Sequence, residues 1–314
     1  LHRYGVRCYA DVVFNHMANE FGARPDPLDF PGALLRERYA RENADFEQDR
    51  LYGDLAEPLF DERSFHPMAG IHDWNDAGEV VHGSLGGLPD LSLTVWVVKQ
   101  QLACLQALNQ LGFDGYRVDA IKHLAEQHID LVFRHPALSG KFVFGEILTF
   151  NESENQRFLW PALDDAPMAF YDFPLQQTLR EAFSPSGSLR LLDDPARYGR
   201  ALPWNRSVIF SITHDVPHNP GFRGMLLDEG DEYLANAYVL GRDGGVPLVY
   251  SDQDESASHY PEDKGRWNDA VAILERKAAA AADADARIAV YRQEAALLDE
   301  RAEDLAGAIL AQKK

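Results

Sequence analysis

Cysteine is scarce in this sequence: Cys8 and Cys104 are the two among 314 residues. Two such residues exclude a disulfide framework or a cysteine zinc site, and one in an expected strand and one in an expected helix read as small buried side chains. Basic residues are also few. Lys and Arg number 30 against 50 Asp and Glu, a net charge of −20, so there is no cationic surface for phosphate and nucleic acid is excluded as a partner. A neutral or cationic ligand suits that balance. No apolar run is long enough to cross a bilayer, so no membrane partner is expected, and no signal-peptide pattern precedes the first strand. The chain opens at Leu1 in what reads as the end of a helix, and the expectation is a piece of a longer protein whose leader lies outside it.

Apolar residues make up 46% of the chain and charged residues 25%, ordinary values for a globular protein large enough to bury a substantial core. Residues 6–14 (VRCYADVVF) are apolar at both parities except for Arg7 near the start and Asp11 within, the pattern of a parallel strand covered on both faces. A carboxylate inside such a strand needs a cation, and Arg117 is the candidate. Between Met17 and Leu91 the periodicity vanishes, punctuated by Pro25, Pro27, Pro31, Pro58 and Pro67 and closed by GSLGGLPD at 83–90. So long an irregular stretch reads as a small domain, residues 19–91, inserted after a strand.

Regular alternation then resumes. Helices are expected over 93–111, 120–133, 175–183 and 233–240, and strands over 112–119, 141–146, 168–173, 205–213 and 246–250. Together with residues 1–18, the stretch 92–267 predicts an α/β fold: a partial (β/α)8 barrel with about six of eight strands. Residues 268–314 are Ala-rich and charged, with apolar or small residues at near-heptad spacing (Leu274, Ile288, Tyr291, Leu298, Leu305), and predict one long amphipathic helix. That helix, or an open barrel edge, would be the route to self-association.

Polar residues cluster just after the expected strands: Asn15 and His16, Arg117 and Asp119, Glu146, and His214 with Asp215. Barrel enzymes place their chemistry at those C-terminal ends. Arg117 and Asp119 are two apart and share one face of an extended backbone, which by itself suits a structural ion pair. Three carboxylates on three strand ends exceed what ion pairing needs. Retaining glycoside hydrolysis needs one carboxylate as nucleophile and a second carboxyl as general acid, with donors such as Arg117, His16 and His214 around them.

The segments DVVFNH (11–16), GYRVDAIKH (115–123), GE (145–146) and FSITHD (210–215), in this order, resemble the four signature regions of the α-amylase family, glycoside hydrolase family 13, and LPDL (88–91) resembles a further short motif of that family. The match covers roughly residues 4–267. The resemblance implies Asp119 as nucleophile, Glu146 as general acid and then base, and Asp215 as transition-state stabiliser. It implies that Arg117 orients Asp119, that His16 and His214 bind the sugar in the cleaved subsite, and that Lys122 and His123 bind the sugar on the leaving side. Asn15, Asp90 and the backbone carbonyl of His123 correspond to the family's calcium ligands. The implied activity is endo-acting, retaining hydrolysis of α-1,4-glucans such as starch and maltooligosaccharides, by a secreted enzyme in an extracellular or periplasmic setting.

Two departures matter. The family's first two barrel strands have no counterpart ahead of Leu1, and the Ala-rich segment stands where its C-terminal β-domain would follow Trp267. A barrel short of strands cannot close in the usual way, so weak activity at best is expected of this chain. Within the same chemistry the rival is a maltooligosaccharide-forming or transglycosylating enzyme. A metal-dependent hydrolase using His16, His123 and His214, and a non-catalytic glucan-binding fragment, are rivals of other classes. The remaining histidines, His66, His72, His82, His128, His135, His218 and His259, read as loop or surface residues; Trp74 suits either a sugar contact or local packing, and Asp252, Asp254 and Glu255 an acidic rim.

Overall fold

A computed structural model describes residues 1–18, 30–32, 37, 59–67, 69–250, 287–288 and 291. Most of the expected inserted domain before residue 59, the acidic rim at 252–255 and nearly all of the expected C-terminal helix lie outside the described residues. The chain forms two compact units, one of Leu1–Gln177, Asp194–Ile209 and Asp243–Val246, the other of Thr178–Asp193, Phe210–Arg242 and Pro247–Lys314.

The first unit is built on a six-stranded sheet whose strands lie side by side in chain order: β1 (Tyr9–Val13), β2 (Gly115–Asp119), β3 (Phe142–Gly145), β4 (Ala169–Tyr171), β5 (Ser207–Ile209) and β6 (Val246–Pro247). Pairing is parallel from β1 through β5. The helices include α1 (Ala77–His82), α2 (Val95–Gln110), α3 (Glu126–Phe133), α4 (Glu152–Glu154), α5 (Trp160–Asp165) and α6 (Phe173–Phe183). Capping sets their starts. Thr94 accepts from Val97 N at 3.1 Å at the head of α2, and Asp76 accepts from Gly78 and Glu79 N at the head of α1.

One face of the sheet carries the core. Val12, Tyr116, Val118, Val143 and Phe170 meet Leu105 of α2, Ile129, Val132 and Phe133 of α3, and Leu163 of α5. The other face carries Asp11, Arg117 and Phe144 in register across β1–β3. Gly115 belongs to that second face because a Cβ there would lie 2.1 Å from the Phe142 carbonyl and 2.6 Å from the Tyr9 ring. The second unit holds α7 (Asp215–His218) and α8 (Glu229–Gly241), with Ser211 Oγ donating to Asn236 Oδ1 at 2.8 Å and Tyr238 OH to the Leu192 carbonyl at 3.0 Å.

Several expectations change. β1 is covered on one face, not both: Val12 is buried while Tyr9 and Val13 are 42% and 41% exposed, because among the described residues no layer closes over the second face at this edge of the sheet, where β1 has β2 as its neighbour. The strand expected over 205–213 is cut to Ser207–Ile209, and that over 246–250 to Val246–Pro247. The helix expected over 120–133 breaks into a 3-10 turn, Ile121–His123, followed by α3. Periodicity assigns nothing to 147–167, where α4, a π-helical turn (Asn155–Leu159) and α5 run on continuously. Nor is His128 a surface residue. It is buried in α3, where its Nε2 lies 2.6 Å from Gln101 Oε1. Gln101 spends its amide on the Phe14 carbonyl at 2.9 Å, so its oxygen accepts and His128 donates.

Burial holds the His128 pKa down at about 4, with the His66 charge acting the same way. A folded pKa below the unfolded value near 6.5 means the stabilisation is complete above that pH and is lost as the pH falls towards 4. At most about 3 kcal/mol is at stake. Melting temperatures taken from pH 7 to pH 4 should therefore fall less steeply for His128→Gln than for the wild type; parallel curves would refute this.

Candidate active site

Arg117 is the centre of the site. It points from β2 onto the non-core face, and its side chain is 7% exposed. Nη1 donates to both Asp11 oxygens at 2.9 and 3.0 Å and to Asp119 Oδ1 at 2.7 Å, while Nη2 donates to Glu146 Oε2 at 2.8 Å. Burial alone would lower the guanidinium pKa, but Glu146, Asp119 and Asp11 together outweigh it and hold the group above its ordinary value. The ring of Tyr171, on β4, lies 5.9 Å beneath the guanidinium carbon and packs edge-on against Phe144 and Phe173. Asp11 does pair with Arg117 as expected, yet its side chain is 46% exposed rather than enclosed, again because β1 is an edge.

Backbone register fixes the carboxylates. Asp119 ends β2, and the Glu146 N–H donates to the Val118 carbonyl at 2.9 Å, which continues the β2–β3 ladder by one rung. An oxygen of Asp119 and one of Glu146 lie within 4.8 Å of each other. After Asp119 the chain turns sharply at Ala120, whose φ of 48° is the one positive value at a non-glycine among the described residues. Gly145, before Glu146, lets the Ile121 side chain approach: a Cβ there would sit 2.8 Å from Ile121 Cγ2.

His16 and Asp90 form an antiparallel bridge, with Leu91 N donating to the Asn15 carbonyl at 2.8 Å and Met17 N to the Pro89 carbonyl at 2.9 Å. The end of the expected inserted domain is thereby tied to the strand end carrying Asn15. Burial lowers the His16 pKa, and the Asp119 charge only partly opposes it. Asp90 is buried, and burial pushes its pKa up to about 6 although His66 and Asn15 pull it down. Its Oδ2 lies 2.6 Å from His66 Nδ1, whereas Oδ1 is buried with no hydrogen-bond partner among the described residues. His66, a partly exposed loop residue as expected, thus has a defined partner. Asn15 is buried alongside, its Nδ2 3.3 Å from His16 Nδ1. A buried carboxylate oxygen with nothing to bind, beside a buried amide, is a donor set that suits a hard cation.

His123 is buried, its Nδ1 2.8 Å from the Val80 carbonyl, and burial above all holds its pKa at about 4. Half-exposed Trp74 stands edge-on to it at 6.0 Å. Lys122 turns inward: Nζ donates to the Leu148 carbonyl at 3.0 Å and lies 3.3 Å from Glu154 Oε2. In the second unit, Asp215 opens α7 six residues beyond the end of β5, 3.3 Å from His214 Nε2. Both cysteines are free. Tyr171, His66, Asn155 and Gln177 escape sequence reasoning, since each matters through a partner distant in the chain.

No protein-family model matches the chain. It is 47% identical over 274 residues to an α-amylase from Aeromonas hydrophila, a match covering 84% of this chain and 58% of that protein. Among solved structures, the wild-type α-amylase I of Eisenia fetida superposes with a TM-score of 0.59 at 21% identity, over 79% of this chain and 51% of that one. The α-amylase of Geobacillus thermoleovorans, solved in complex with acarbose, gives 0.57 at 20% identity, over 80% and 50%. The structural likeness bears on the fold, and the chain spans little more than half the length of the proteins it matches.

Removing the shared cation should cost about 3–5 kcal/mol, because three carboxylates would be left around an apolar gap. Arg117→Met is expected to melt far below the wild type at pH 7. Equal melting temperatures at pH 7 would show that the cluster is not held by Arg117.

Proposed function

The chain is a homologue of the α-amylases, and on that footing we propose that it carries the catalytic machinery of a retaining, endo-acting α-1,4-glucan hydrolase that takes starch or maltooligosaccharides. The approach of Asp119 and Glu146 to within 4.8 Å carries the proposal. Carboxyls about 5–5.5 Å apart suit a covalent glycosyl-enzyme, whereas inverting pairs stand about 6.5–9.5 Å apart to admit a water.

Asp119 attacks the anomeric carbon as the glycosidic bond breaks, and Glu146 gives its proton to the departing sugar oxygen. Glu146 then takes a proton from water, whose oxygen attacks the anomeric carbon and releases Asp119. Each half inverts the centre, so the product keeps its anomeric configuration. Arg117 orients Asp119 through the hydrogen bond at 2.7 Å. Asp215 is assigned to stabilising the oxocarbenium-like state, and His16, His214 and His123 to sugar binding. Burial favours neutral His16 and His123, which suits hydrogen bonding to uncharged hydroxyls.

Calcium is assigned to Asn15, Asp90 and the His123 carbonyl, supported by the unpartnered Asp90 Oδ1 and the buried Asn15 amide. When bound, the ion would neutralise Asp90 and tie the 89–91 segment to the strand end at Asn15. An extracellular or periplasmic setting belongs to the same reading.

Asp119→Asn and Glu146→Gln should each lower kcat by a factor on the order of a thousand or more, with a wild-type product that is the α-anomer when first released. Release of the β-anomer would refute the assignment. Chelation of divalent ions should lower the melting temperature, with calcium at about 100 times its Kd restoring about 2.7 kcal/mol. Asp90→Asn should abolish that response, and a wild type indifferent to calcium would overturn the metal site.

A further inference from the structure

Glu146 leaves the sheet on a loop, residues 147–150. Two of its carbonyls are met by side chains from other segments. Lys122 Nζ donates to the Leu148 carbonyl at 3.0 Å, two residues beyond Glu146. Gln177 Nε2 donates to the Thr149 carbonyl at 2.9 Å. Thr149 Oγ1 donates to Asn155 Oδ1 at 2.6 Å, and Asn155 Nδ2 donates to Gln177 Oε1 at 3.2 Å, closing a ring of three side chains. Thr149 and Asn155 are buried.

The π-helical turn Asn155–Leu159 is where this latch is seated. It opens with Asn155 and carries Phe158, whose ring centre lies 4.6 Å from Lys122 Nζ. One extra residue in a helical turn is costly and recurs where a side chain must be re-aimed. Here it serves Asn155 and Phe158 at once. The Lys122 ammonium is thus held by a carbonyl, a carboxylate and an aromatic face, and its side chain is 6% exposed.

We propose that Lys122 and Asn155 are positioning residues for Glu146: they clamp the loop behind it and so set the reach of its carboxyl towards Asp119 and the departing oxygen. This rests on the hydrolase reading, and it adds to the sugar contact that the family resemblance implies for Lys122. A general acid loosened by a fraction of an ångström loses rate without losing substrate affinity.

The test compares the wild-type chain with Lys122→Met, Lys122→Arg, Asn155→Ala and Glu146→Gln on maltoheptaose and on nitrophenyl maltotrioside, across roughly pH 4–9. Lys122→Met should lower kcat on maltoheptaose by about tenfold or more, over and above any rise in KM from a lost sugar contact, and should move the basic limb of the kcat profile. The loss should be smaller with nitrophenolate, which departs with little need of a proton. Lys122→Arg should recover part of the rate. Asn155→Ala, reaching the latch from the other side, should repeat the Lys122→Met pattern, so misfolding of one variant leaves the other to decide. Amide hydrogen exchange over 147–150 should quicken in both. A Lys122→Met variant with raised KM but unchanged kcat, pH limb and loop exchange would overturn the inference and leave the sugar contact as the whole role of Lys122. A Glu146→Gln variant as active as wild type would sink the hydrolase reading instead. A wild type that cleaves neither substrate would match the weak activity expected of a barrel short of strands, and loop exchange would then judge the clamp alone.

Discussion

One buried guanidinium organises the first unit. Arg117 lies at a strand end with Asp11, Asp119 and Glu146 gathered on its two terminal nitrogens and an aromatic ring against its face. Desolvating such a cation is expensive, and three carboxylates from three neighbouring strands compensate it only if the strands hold their register. The cluster therefore rewards one alignment of β1, β2 and β3. A slip by one residue would send Arg117 to the apolar side.

The sheet divides the labour between its faces. Residues of one parity in β1–β4 build the apolar core with the helices. Those of the other parity build the charged cluster and an aromatic row, Tyr9, Phe142, Phe144 and Tyr171, whose successive rings meet mostly edge-on. Aromatics there supply bulk without competing for the hydrogen bonds of Arg117. Stability and chemistry thus draw on different side chains of the same strands, and the link between them is backbone geometry.

Much of this was legible in advance. The apolar run GYRV of β2, the repeated strand-helix alternation and the motif segments at strand ends depend on local pattern, and the structure has β2, β3 and α2 where pattern predicts them. What escaped is non-local. The exposure of Tyr9 and Val13 depends on what lies beside β1. The inward turn of Lys122 depends on a carbonyl 26 residues away, and the burial of His128 on Gln101, 27 residues away. The π-helical turn has no signature at all, since its extra residue is paid for by contacts with Thr149, Gln177 and Lys122. Position relative to strand ends can be read from one sequence; the direction of a long polar side chain cannot.

The ladder bond from Glu146 N to the Val118 carbonyl places the two carboxylates on adjacent strands at matched heights. Their backbones are thereby held one strand apart, about 4.8 Å, the spacing that the peptide hydrogen bond imposes on every sheet. Side-chain length and rotamer decide only the remainder of the gap. The meeting of these two negative charges is thus prepared by uncharged peptide groups, and a change that disturbed the last rung of the ladder would part them without touching either carboxylate.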